Sequence, residues 1–488
     1  MASVNATVTR RQLLRSAGIG AAGLAAAGTL GEIASVAFAS QAPGPPRPPK
    51  WHTRPDLRIP ALTVTRREQG VSSDPIFIAP YNSPIGQVGA VIVDNDGQPI
   101  WENPLAGKVT TNFRVQSYRG SPVLTWWEGS IELGHGVGEY VIADSSYRTV
   151  RRVQAADGLR GDLHEFVITP RDTALLTSYV VRNADLSAVG GSRHGTIQDA
   201  IFQEIDLATG RLLLEWRSLE HVPLEDSYAP VGADWDFFHI NSVDLDGDGN
   251  LLISSRSMQA VYKLDRSGAI LWRLGGKHSD FEIGPGAGFA WQHDARRQAD
   301  GTLTLFDNGA TPAVEKLSRG LILELDEQAM TATLLHQYTH PKILSGSQGS
   351  TQLLANGNVF IGWGETPRVS EFDHSGRLLF DAVLGEKYQS YRAFRLPWTG
   401  LPAEAPAIAV TGAGEHRTVW ASWNGATGVH SWQLLAGAQA DAMRAVASTR
   451  ARGFESALRA GTSAGPYLAV QALGAGGTPL GGSSTVTT

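Results

Sequence analysis

At 488 residues and a net charge of −6, the chain is long enough for a large core and more than one domain, and no basic block marks a nucleic-acid surface. It has no cysteine, which excludes disulfides, a thiolate nucleophile and a cysteine-ligated metal.

Residues 1–39 read as an export signal. Thr9-Arg10-Arg11-Gln12-Leu13-Leu14 precedes an Ala/Gly/Leu run from Ala17 to Leu30, the spacing of a twin-arginine signal, and Ala37-Phe38-Ala39 fits an A-x-A cleavage site. The apolar run is too short for a stable membrane span. A secreted or cell-surface protein follows, exported folded, and without these residues the remainder carries −8. Residues 40–60 read as a Pro-rich linker.

From residue 61 to 403 the chain shows little helical periodicity. Short apolar or alternating runs are separated by Gly, Asp and Asn turns. One phrase recurs, a strand ending in Asp, a turn, then a strand with an aromatic. It spans Asp94 to Trp101, Asp206 to Trp216, Asp265 to Trp272, Asp326 through His336 and Tyr338, and Asp373 to Phe380, while the segment after Asp144 fills the remaining slot less well. About six units of roughly 35 to 60 residues suit an all-β propeller of four-stranded blades, with a sandwich of the same strands as the alternative. The first unit lacks an inner half, so residues 60–85 are expected to complete a blade. After Pro402 the texture changes. Residues 404–488 are Ala/Gly/Thr-rich with short strands, and Trp423, Trp432 and Tyr467 suit an immunoglobulin- or fibronectin-like β-sandwich.

Chemistry enters through three histidines in register. His164, His239 and His293 each stand seven residues before a polar turn pair, Arg171-Asp172, Asp246-Gly247 and Asp300-Gly301. In a ring of repeats these positions face one axis and converge. On an extended strand Asn241 shares a face with His239, and a hairpin return brings Arg256 back toward it. Histidine, asparagine and arginine without a paired carboxylate suit an oxyanion such as a sulfo group. Zinc on three imidazoles is the competing reading. Arg256 would repel a cation and Asn241 is not a usual zinc ligand, so no metal is assigned there. Asp162 is better placed than Glu165 to orient His164, because neighbours on a strand point to opposite faces. Asp244 to Asn250 looks like a calcium loop but has Ser255 at its twelfth position, and a tight hairpin turn explains it equally. Of the other histidines, His135 in a Gly-rich loop is the one most suited to approach a ligand.

Together the segments Asp162-Leu163-His164-Glu165-Phe166, Phe238-His239-Ile240-Asn241-Ser242-Val243, Ser254-Ser255-Arg256 and Gln292-His293-Asp294-Ala295 resemble the arylsulfotransferase (arylsulfate sulfotransferase, ASST) family. Tyr118 through Gly129 and Phe306-Asp307-Asn308-Gly309 resemble its actinobacterial and fungal branch. The resemblance covers about residues 75–400. It implies a six-bladed β-propeller that moves a sulfo group from an aryl sulfate ester to a phenolic acceptor, with no nucleotide donor and no cofactor. It implies His293 as the transiently sulfated nucleophile and ping-pong kinetics. His164, His239, Asn241 and Arg256 correspond to the residues that bind the sulfo group and activate the phenol, with the proton carrier open between His164 and His239. The alternative is a secreted binding or adhesion propeller without catalysis.

Overall fold

In a computed structural model the described residues are 50–488, apart from 59–61, 83–86, 386 and 462–464. The expected signal, residues 1–39, and residues 40–49 of the expected linker lie outside them. Residues 50–58 of that linker are placed, with Trp51 against Phe454 (ring centroids 4.7 Å apart) and His52 stacked on Trp420 at 4.1 Å.

The chain is all-β. Its recurrent aspartates explain why strands turn where they do. Asp94 Oδ1 accepts the backbone N–H groups of Asp96 and Gln98 at 2.9 and 2.8 Å, closing the hairpin with its own side chain. Asp265 and Asp373 do the same. So does Asp144, the position that fitted the pattern least well, through Ser146 and Arg148.

Among the described residues, six sheets of four or five strands lie between Thr63 and Arg395, nearly all of their pairings antiparallel. One edge strand of each meets the next: Val109–Tyr118, Phe166–Ile168, Ile240–Leu245, His293–Arg297, Ser350–Leu353 and Ala393–Arg395, the last touching the first. The two ends of the region interlock. Ala393–Arg395 supplies the inner edge for the sheet of Ile76–Ile78, Gly89–Val93 and Pro99–Pro104, while Thr63–Arg67 becomes the outer strand of the sheet formed by residues 350–383. Thr63–Arg67 and Ile76–Ile78 thus serve two different sheets.

The apolar cores lie between neighbouring sheets. Trp216, Phe202, Phe238 and Tyr262 fill one such layer, and Tyr140, Phe166 and Trp127 another. The space inside the edge strands is left to polar side chains. The edge strands are also irregular there. Register shifts break the pairing between Ile240 and Ser242, His293 and Arg296, and Thr111 and Arg114. His239, Asp294 and Asn112 at these bulges adopt left-handed backbone (φ 51°, 56° and 55°), which Asn, Asp and His tolerate better than most residues.

Beyond residue 404 two more sheets form, one of Ala407–Thr411, Thr418–Ser422 and Glu455–Arg459, the other built on Ser431–Gly437 and Tyr467–Leu473. Val419, Trp423, Trp432, Leu434, Leu468 and Val470 share one core. This region meets the preceding sheets through Asn424, whose side-chain amide both accepts from and donates to the Glu102 backbone (2.8 and 2.9 Å), and through Tyr147, whose hydroxyl donates to the Gly425 carbonyl at 2.6 Å. No helix among the described residues is long and apolar enough to cross a membrane.

Candidate active site

The three register histidines converge. The rings of His164 and His239 lie 4.8 Å apart between centroids, and those of His239 and His293 lie 6.4 Å apart. Each is held by its Nδ1. His164 Nδ1 donates to Asp162 Oδ2 at 2.6 Å, and the same carboxylate accepts from Thr177 Oγ1 and the Gly136 N–H. Burial alone would raise the Asp162 carboxyl; the His164 imidazole outweighs it and holds the group well below the usual carboxylate range. His239 Nδ1 pairs with Asp236, one turn earlier in the chain. Burial pushes His239 down to about 4 against the pull of that carboxylate, so the ring is neutral at neutral pH.

His293 is set differently, by an amide. Asn308 donates through both hydrogens of Nδ2 to the carbonyls of Ser345 and Gln348, each at 3.0 Å, so its Oδ1 must face His293 Nδ1 at 2.7 Å. An oxygen acceptor there fixes the proton on Nδ1 and leaves Nε2 with a free pair, which accepts only a long bond of 3.2 Å from the Gln348 N–H. Burial first, then the charge of Arg256, depresses His293 well below an ordinary histidine.

The hairpin return delivers Arg256 as its sequence position implies: the Arg256 N–H donates to the His239 carbonyl at 2.9 Å. The guanidinium lies over the Trp291 ring, 5.0 Å from its centroid, and Nη2 donates to the Gly346 carbonyl. Its Nε is buried without a partner. Asn241 is fully buried and donates from Nδ2 to the Gln292 carbonyl at 2.7 Å, beside His293. The bulge at Asn241 replaces the simple two-residue alternation expected for His239 and Asn241. A cavity of about 310 Å³ opens next to Asp236 and Arg256, walled by Leu133, Trp235 and the 229–234 segment.

Residues one step along the chain turn away from the histidines into a buried ion cluster. Glu165 is paired with Arg114 (2.8 Å), Arg296 and Arg392 (3.2 Å), and Asp294 with Arg296 (2.9 Å) and Arg392 (3.1 Å). Three arginines against Glu165, Asp294 and Asp244 leave this layer balanced. Beyond it lies a second cavity of about 360 Å³, lined by Arg114, Gln116, Arg296 and Thr351, away from the histidine cluster.

The calcium-like loop is occupied by the protein's own cations. Lys263 Nζ sits 2.9 Å from Asp246, 2.8 Å from Asp248 and 2.8 Å from Glu327, and Arg297 also binds Asp246. Asp236, Asn308 and Gln348 were not singled out from the sequence. A carboxylate three residues before His239 and the Asn within Phe306-Asp307-Asn308-Gly309 were the available signals. His135, which stood outside the register, joins the cluster from a long hairpin. Its ring lies 5.3 Å from that of His239 and 5.7 Å from that of His164.

The sequence profile of the arylsulfotransferase (ASST) family matches residues 114–385, more than half of the chain. No curated protein is a significant match. Among solved structures, the chain is similar to a protein of unknown function from Bacteroides caccae (12% identity, 67% of this chain and 100% of that one, TM-score 0.41). It is also similar to a catalytically inactive virginiamycin B lyase from Staphylococcus aureus with quinupristin (11% identity, 75% and 97%, TM-score 0.35). A third is a protein from Lactobacillus plantarum (14% identity, 80% and 100%, TM-score 0.38).

Proposed function

Because the chain belongs to the arylsulfotransferase (ASST) family, we propose that it is an exported enzyme that moves a sulfo group from an aryl sulfate ester to a phenol through a sulfohistidine, without a nucleotide donor. The six sheets with touching edge strands are read as a six-bladed β-propeller of residues 61–403, and residues 404–488 as a β-sandwich module. Export rests on the twin-arginine signal of residues 1–39.

The observation that carries the mechanism is the tautomer of His293. Asn308 holds the proton on Nδ1, so the Nε2 pair can attack sulfur. The N–S bond forms as the S–O(aryl) bond breaks, and the phenolate leaves. Arg256, with an uncommitted buried Nε, is positioned to donate to the sulfo oxygens, and the Gln348 N–H that now rests on Nε2 is an adjacent donor. Asn241 has one Nδ2 hydrogen committed to Gln292 and keeps the other for the same task. His164 and His239 present Nε2 as bases, since ionised Asp162 and Asp236 accept from their Nδ1. The donor's phenolate leaves as the anion, and one of these bases then takes the proton of the incoming phenol and returns it to solvent. The phenol oxygen then attacks sulfur, the N–S bond breaks, and His293 is regenerated. The cavity beside Arg256 suits the aryl group.

The test is nitrophenolate release from 4-nitrophenyl sulfate with phenol as acceptor, alongside formation of phenyl sulfate. Wild type is expected to give both, with parallel double-reciprocal lines. His293→Ala is expected to reduce release to background, and mass spectrometry to find a sulfo adduct on His293 when acceptor is withheld. No release across a panel of aryl sulfates would leave a binding propeller; release that survives His293→Ala would remove the nucleophile assignment.

A further inference from the structure

We propose that His135, His164 and His239 form a binding site for one divalent transition-metal ion of the zinc type, in competition with the sulfo donor. One ligand nitrogen from each lies within 4.8 Å of the other two. Nitrogens on a single tetrahedral zinc are about 3.4 Å apart, so closure asks for ring shifts on the order of 1 Å.

Two of the three imidazoles already carry the support that zinc histidines have. Asp162 fixes Nδ1 of His164, and Asp236 fixes Nδ1 of His239, so Nε2 is the bare nitrogen in both. His135 is the third and has no other task in view. It is buried; Nε2 is paired with Asp236 Oδ2 at 3.3 Å, and Nδ1 makes no hydrogen bond. A buried imidazole nitrogen left without a partner, as Nδ1 is here, is costly unless a ligand completes it. The hairpin that brings it is built for reach. The strand Ser121–Glu132 turns at Leu133 and Gly134, both with left-handed backbone (φ 51° and 86°), and returns as His135–Ala143. The Gly136 N–H then ties the tip to Asp162, the carboxylate that orients His164.

Arg256 argued against a metal while the set was His164, His239 and His293. In the folded chain the set is different. Arg256 lies over Trp291 and binds Gly346, with its charge answered by Asp236 and Glu365. All-imidazole ligation selects zinc, copper or nickel over calcium and magnesium. The cavity at Leu133, Asp236 and Arg256 borders Asp236, the carboxylate that holds His239.

The test uses the chain after chelation and removal of chelator, with zinc alone as probe in isothermal titration and cobalt(II) for its visible spectrum. Wild type is expected to bind one zinc per chain and to show the intense absorption of tetrahedral cobalt. His135→Gln is expected to bind zinc about 100-fold more weakly, and His293→Ala to bind as wild type does. Zinc should inhibit nitrophenolate release in wild type, and inhibiting the release that His135→Gln retains should take about 100-fold more zinc. Absence of a single saturable zinc site in wild type overturns the proposal. So does equal affinity in a folded His135→Gln, or loss of binding in His293→Ala. If His135→Gln does not fold, the wild-type stoichiometry and cobalt spectrum decide alone. Binding is read without turnover, so its failure is separate from failure of the sulfotransferase reading.

Discussion

His293 is a nucleophile candidate only because Asn308 is an amide. Both Nδ2 hydrogens are spent on carbonyls, so the oxygen must face the ring and the proton must sit on Nδ1. The sign of the pH effect follows. His293 lies well below 6.5 in the folded chain, held there by burial and by Arg256, so the neutral reactive form is complete at neutral pH and is lost only on strong acidification. A carboxylate in place of the amide would favour the imidazolium and raise that pKa. Asn308→Asp, which also takes the donor away from the Ser345 and Gln348 carbonyls and so lowers Tm, is therefore expected to move the acid limb of kcat/KM for 4-nitrophenyl sulfate upward toward neutral pH. A profile unchanged in shape would dismiss the tautomer argument. Much of this was legible residue by residue: His164, His239 and His293 meet as their register implied, and Arg256 reaches His239 as the hairpin return implied. Asn308 was visible only as part of a motif, because what makes it matter is contact with carbonyls 37 and 40 residues away.

The hairpin Ser121–Glu132/His135–Ala143 shows how an element can place one residue. Trp127 lies across it, and the strand glycines make the slot: a Cβ at Gly136 or Gly138 would come within 2.6 to 2.7 Å of the indole. The indole N–H donates to the Gly161 carbonyl at 2.9 Å, locking hairpin to neighbour. Gly138→Ala must move either the indole or the strand, and overpacking of this kind costs about 1 to 3 kcal/mol. The expected outcome is a lower Tm by calorimetry, with weaker zinc binding because His135 is displaced. An unchanged Tm would mean the slot is loose. The sequence marked this stretch as Gly-rich and near a ligand, yet read it as a loop. Repeated glycine signals turns locally; only the opposed strand and the indole reveal that these glycines make room.

At the scale of the whole molecule, two unlike layers fill the space inside the six edge strands, imidazoles on one side and a balanced arginine–carboxylate cluster on the other. Adjacent residues divide between them, His164 from Glu165 and His293 from Asp294. The region after residue 404 is joined to the sheets by the Asn424 pair to Glu102, by Tyr147 and Ile100 to Gly425, and by Gly400 to Thr427. Asn424→Ala removes both bonds, at about 1 to 3 kcal/mol for buried backbone groups left unmet. Calorimetry is expected to resolve two transitions in place of one, while nitrophenolate release is unchanged. A single transition at the wild-type temperature would show that Tyr147 and its neighbours hold the junction without it.

By itself the sequence determined the all-β repeat, the turn at each recurrent aspartate and the register that aims three histidines one way. These follow from interactions within a few residues: period-two side-chain alternation and aspartates that cap their own turns. The tertiary structure alone decided that strands from both ends complete the sheets and that Lys263 and Arg297 fill the acidic loop. It also decided that bulges replace alternation at Asn241 and that His135 joins the cluster. Each of these depends on groups beyond the reach of one turn, whose meeting is set by strand pairing, chain closure and the charge balance of a buried site.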